Sequence, residues 1–133
     1  MSLAELCAWT GAIFTLGLGL GGMVMPKLAQ RITLLAPIAG KPTAIAEVRA
    51  SFGGLYFGLG LAVILALIGG NGVVGASFAA ACAWLGLAIG RAVSLAADRS
   101  GSAWNWISLA IETFVGLVLM APFIAHIGGG STS

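Results

Sequence analysis

The sequence predicts an all-α fold: an antiparallel bundle of four transmembrane helices in one domain over residues 1–133. Three observations predict it. Of 133 residues, 59% are hydrophobic and 8% charged, with a mean hydropathy of +1.08. A soluble domain carries roughly a quarter charged residues, so this chain cannot keep a soluble surface hydrated. Four stretches stay apolar over the ~20 residues needed to cross ~30 Å of hydrocarbon. The basic residues gather at one end of the hairpins that these stretches form.

The first span is expected over residues 3–25, stopped by Pro26. Ser2 and Glu5 have the spacing of a capping box. The stretch lacks a basic leader and has the length of a full span, so it is read as a retained helix rather than a cleaved signal. Between Lys27 and Thr43, Leu28, Ile32 and Leu35 recur at helical spacing, with Lys27, Gln30 and Arg31 on other faces. That pattern fits either a short interfacial helix on the membrane surface or an irregular loop, ended by Pro37, Gly40 and Pro42. Pro42 suits the first position of the second helix, expected over residues 44–68. Gly69-Gly70-Asn71-Gly72 is a tight turn that allows only an antiparallel hairpin. The third span is expected over 73–97 and the fourth over 103–127, with Ser100-Gly101-Ser102 able to cap the fourth.

Antiparallel spans place Lys27, Arg31, Lys41, Arg49, Arg91 and Arg99 at one end, with Glu47, Asp98 and Glu112; only Glu5 lies at the other. Short basic connections stay cytoplasmic. The expected placement is therefore a multi-pass protein of a bacterial inner membrane with both termini periplasmic. Trp104 and Trp106 fit an inner aromatic belt and Trp9 an outer one, while the deeper Trp84 fits helix packing. A formal charge of +2 without a dense basic run gives no sign of nucleic-acid binding.

Depth separates the charges into two groups. Lys27, Arg31, Lys41 and Arg99 are surface determinants of topology. Glu47, Arg49, Arg91, Asp98 and Glu112 form a polar cluster in the inner half of the bundle. Glu112 is nine residues into the fourth helix, roughly 13 Å along its axis at ~1.5 Å per residue. An ionised side chain at the bilayer centre costs roughly 2.5–3.5 kcal/mol, so Glu112 needs a partner, and Arg49 and Arg91 are the candidates. Arg91 and Asp98 are seven apart and share a face; Glu47 and Arg49, two apart, do not. The cluster is either a polar pocket or ion path opening inward, or a structural network fixing helix register. Outward of it lie only Thr10, Thr15, Tyr56, Ser77, Thr113 and finally His126, which favours the structural network. His126 alone reads as an interfacial residue. Cys7 and Cys82 read as free apolar thiols, and no metal or cofactor is expected.

Glycine is abundant, at 21 residues. Gly17 and Gly21, Gly54 and Gly58, and Gly86 and Gly90 are each four apart and make flat stripes for close helix packing, inside the bundle or against another subunit.

The segment Ala46-Glu47-Val48-Arg49-Ala50-Ser51-Phe52-Gly53-Gly54 with Gly58, then Arg91 with Ser94 and Asp98, then Glu112, resembles a bacterial membrane family, the domain of unknown function 4345. The resemblance covers about residues 8–125 and implies four spans. It also implies that Glu47, Arg49, Arg91 and Glu112 are a family feature. The family pattern often carries Tyr before the paired glycines; Phe52 stands there, so that position offers no phenol hydroxyl. The resemblance brings no activity.

Three functions follow as expectations. The first is a non-catalytic accessory or assembly subunit of a larger inner-membrane complex, with membrane lipids and other transmembrane subunits as partners. The alternative is a binder or carrier of a lipid or quinone-like amphiphile through the inner polar pocket. A small transporter, which needs continuous polar lining or a helix broken at mid-membrane, ranks below both. No Ser-His-Asp set, metal constellation or phosphate loop points to an enzyme.

Overall fold

The computed structural model describes residues 1–35, 43–98 and 100–129, with the backbone alone at 43 and 44. Lys41, Arg99, the breakers Pro37, Gly40 and Pro42, and the tail after Gly129 lie outside the described residues. Those residues form α1 (Leu3–Val24), α2 (Pro26–Thr33), α3 (Thr43–Glu47), a π-helical segment (Val48–Gly54), α4 (Leu55–Gly69), α5 (Val73–Ala97) and α6 (Ala103–Gly129), with no strand among them. Four helices are long and apolar enough to cross a membrane: Leu3–Val24, Ile45–Gly69, Val73–Ala97 and Ala103–Gly129. The protein is an all-helical four-helix bundle of the multi-pass membrane class.

Local chemistry sets the ends. The Glu5 amide donates to Ser2 Oγ at 3.2 Å and the Ser2 amide to Glu5 Oε2 at 2.7 Å, the reciprocal capping box. Gly70 and Gly72 take left-handed φ of 67° and 74°, which closes the turn between α4 and α5 where a Cβ would be strained. The Asn105 amide donates to Ser102 Oγ at 3.2 Å, so Ser102 caps α6.

The connection after α1 holds a helix: α2 starts with Pro26 in its first turn and ends at Leu34 in the left-handed region. Leu28, Ile32 and Leu35 are all exposed, an apolar row suited to the edge of the hydrocarbon. The Trp104 indole donates to the Ile32 carbonyl at 2.8 Å and ties α2 to the start of α6. Trp104→Phe is expected to cost about 1 kcal/mol and to speed amide exchange in α2, read by hydrogen–deuterium exchange. Unchanged exchange there would mean that the bond does not hold α2.

α1 packs on the second span and on α6, and α5 packs on α6 and α4, with α1 and α5 meeting only weakly across the diagonal. Small residues fill the inside: Ala8, Gly11, Ala12, Thr15, Gly19, Ala80, Ala81 and Gly116 are buried, and the largest fully buried side chain is Leu119. Bulky residues such as Leu20, Leu65, Ile89, Phe114 and Leu117 point outward. That distribution suits a bundle whose outer surface meets lipid tails and whose helices gain by approaching closely. Deep in the core, the Trp84 indole donates to Thr15 Oγ1 at 3.0 Å, and Thr15 Oγ1 donates to the Gly11 carbonyl at 2.7 Å. Cys7 and Cys82 are free thiols. Cys82 is exposed on α5 and not buried within the bundle, because the inner positions of α5 belong to Ser77, Ala80, Ala81, Trp84 and Ala88.

Candidate functional site

The polar site joins the C-terminal half of α5 to the first half of α6. Glu112 is 7% exposed despite its charge. Its carboxylate accepts twice from one guanidinium: Arg91 Nε donates to Oε2 at 2.9 Å and Nη2 donates to Oε1 at 2.6 Å. This fork geometry is the strongest arrangement open to an Arg–carboxylate pair. Arg91 Nη1 also donates to Asn105 Oδ1 at 2.9 Å. Asn105 is seven residues before Glu112 on α6, two helical turns along one face. Asn105 Nδ2 donates in turn to the Ser100 carbonyl at 2.7 Å, and the Ser94 and Ser100 hydroxyls lie 3.1 Å apart. One network therefore runs from a buried carboxylate to the connection between α5 and α6.

Beside the pair, Tyr56 lies within electrostatic reach of Glu112 and Arg91. Its ring packs 5.1 Å from that of Trp84 and 6.5 Å from that of Phe52, and Trp84 lies 5.9 Å from Phe14. Within this row Trp84 is buried and Phe14 is exposed; Trp84, seven residues before Arg91 on α5, makes the next polar contact through its indole bond to Thr15.

Of the five residues expected to form the polar cluster, the structure brings two together. Arg91–Glu112 is the one ion pair among the described residues. Glu47 and Arg49 are exposed, and Asp98 is exposed at the C-terminal cap of α5. Arg49 is thus not a partner of Glu112, and the cause is the π-helical segment. In a continuous α-helix Arg49 would fall on the same face as Gly53 and Gly60, at ~100° per residue. A π turn holds an extra residue. The buried positions here are Val48 and Gly53, five apart, so Val48 occupies the face that Arg49 would have taken. Asn105, Ser94 and Ser100 complete the site. Ser94 stood among the motif residues, and the spacing of Asn105 from Glu112 was a usable signal for it.

The six glycines expected at packing stripes do not make the close contacts inside the bundle. A Cβ at Gly17, Gly21, Gly58, Gly86 or Gly90 would meet nothing, and at Gly54 only the Arg49 carbonyl of its own helix at 3.7 Å. The close approaches are made by other glycines. A Cβ on Gly22 would lie 3.0 Å from Gly53 Cα, and one on Gly60 2.5 Å from the Leu16 amide nitrogen. Leu119 lies over Gly11, and Leu85 over Gly116.

The ends of α5 and α6 also border an open groove of about 510 Å³, in which Gly86, Leu87 and Gly90 lead to Arg91, Ser94 and Asn105. A second groove of about 410 Å³ between α1 and α6 is apolar, with Phe14, Ile111 and Phe114 among its walls.

The Ala46–Gly54 segment with Gly58, Arg91 with Ser94 and Asp98, and Glu112 are the residues through which the sequence resembles a family. No curated protein and no solved structure matches the chain. The family described as Domain of unknown function (DUF4345) matches residues 3–122, and the chain belongs to that family.

Proposed function

We propose that the protein is a non-catalytic subunit of a larger bacterial inner-membrane complex, docking against other transmembrane helices through glycine-lined faces of α1 and the second span. The observation that carries this reading is the open space over Gly17, Gly21 and Gly58. Flat glycine positions on a lipid-facing helix sacrifice helix propensity by about 1 kcal/mol each relative to Ala, and they gain it back where another helix backbone approaches. The close packing inside the bundle uses a different set of glycines, so these are free for a neighbour. Lys27 and Arg31 beside the first connection support a cytoplasmic placement of that end and periplasmic termini.

The test is purification of the chromosomally tagged protein from native membranes in mild detergent. A defined set of transmembrane proteins should co-purify. Gly17→Leu and Gly58→Leu, whose new side chains enter open space, should release that set while leaving the fold intact. A chain that purifies alone, or partners that both variants keep, would overturn the reading.

A further inference from the structure

The groove beside the ion pair lies on α5 and α6, apart from the glycine faces of α1 and the second span. Its floor is bare: a Cβ at Gly86 or Gly90 would meet nothing within 4 Å. Its polar lining is Arg91, Ser94 and Asn105. An Arg side chain has five N–H donors. Three donor contacts are made, two to Glu112 and one to Asn105. Two guanidinium N–H groups therefore have no acceptor among the described residues, and the Arg91 side chain is 29% exposed. The Asn105 amide likewise donates once, to Ser100, and has a second N–H to offer.

Depth and charge define what accepts from them. Arg91 lies six residues before the end of α5 at Ala97, ~9 Å along the axis. The 25 residues of α5 span ~37 Å against ~30 Å of hydrocarbon. The guanidinium root thus sits a few ångströms below the headgroup boundary, where water is scarce and an unsatisfied donor is costly. Glu112 already balances the charge of Arg91, so the site has donors in excess but no net charge to hold a free anion. A neutral acceptor carried on an apolar chain matches both features.

We propose that this groove binds an amphiphile through a carbonyl oxygen, which accepts from the Arg91 guanidinium and the Asn105 amide while the apolar chain lies along Gly86, Leu87 and Gly90. Two membrane components share that chemistry: the ester carbonyl of a glycerolipid and the ring carbonyl of a prenylated quinone.

Native mass spectrometry of the purified, delipidated chain separates the sources and tests the site. The probes are a diester phosphatidylethanolamine, its diether analogue without carbonyls, and a prenylated benzoquinone alongside its prenyl hydrocarbon. Expected is retention of the diester over the diether, or of the quinone over the hydrocarbon, by about tenfold or more. Gly90→Leu, whose Cβ would meet nothing within 4 Å, fills the groove and should abolish the preference. Gly75→Leu, on the same helix but outside the groove and also facing open space, should leave it unchanged. Equal retention with and without the carbonyl, or a preference that survives Gly90→Leu, overturns the proposal. Because the assay uses the isolated chain, its failure is distinct from a failure to find protein partners.

Discussion

Replacing Arg91 with Ala is expected to destabilise the bundle by about 3–5 kcal/mol, the usual cost of leaving one partner of a buried ion pair behind. The carboxylate of Glu112 is buried between α5 and α6, and both its oxygens accept from that one guanidinium. Without it the carboxyl group is left in a low-dielectric setting with neither oxygen accepting from a guanidinium, and Asn105 Oδ1 loses its donor as well. Glu112→Gln should cost less, about 1–2 kcal/mol. The remaining guanidinium is partly exposed, can reach toward the boundary along its aliphatic stem, and keeps an amide oxygen to bond. Replacing both residues together, Arg91→Met with Glu112→Leu, removes the desolvation problem and fills similar volume. Apolar replacements of buried pairs are often neutral or stabilising, so the double variant should recover most of the loss. Unfolding titrated with SDS in mixed micelles and followed by helix circular dichroism gives the order directly. A double variant as unstable as Arg91→Ala would show that the pair itself specifies the packing of α5 on α6.

The parts of this molecule that were legible in the sequence are those fixed by local chemistry. Span ends follow from apolar length and from Ser2, Gly70, Gly72 and Ser102, each acting on backbone within a few residues. The burial of Glu112 was legible from its depth in an apolar helix, and Arg91 was legible as a partner because α5 and α6 are joined by a short connection. Arg49 was not separable from Arg91 in this way, since nothing local in Val48–Gly54 announces a π turn. That turn moves Arg49 off the inner face by one residue. The glycines show the same limit. A four-residue spacing marks a flat stripe on one helix but not the direction in which it faces. Gly19 and Gly22 meet the backbone at Gly53, and Gly60 meets that of Leu16 and Ala12; these contacts depend on the relative register of two helices, which no single segment carries.

Gly19→Ala is the sharpest test of that register and is expected to cost about 3 kcal/mol, at the upper end for overpacking. The added methyl would fall inside the contact shell of the Phe57 amide nitrogen, 2.5 Å from Phe57 Cα and 2.8 Å from the Gly53 carbonyl oxygen. All three are backbone atoms, so no rotamer change relieves the clash. α1 must instead move away from the second span along the stretch where Gly22 and Gly53 also meet. Gly60→Ala, facing the backbone of Leu16 and Ala12, should behave alike. Gly17→Ala, two residues away on the same helix and facing open space, should not destabilise and should gain up to about 1 kcal/mol of helix propensity. The SDS titration that orders the Arg91 variants reads these as well. The contrast between Gly19 and Gly17 isolates helix crossing from glycine's intrinsic effect on a helix, because both substitutions remove a glycine from α1. Equal effects at the two positions would mean that α1 and the second span do not cross through Gly19, and the account of the π turn seated on α1 would fall with it.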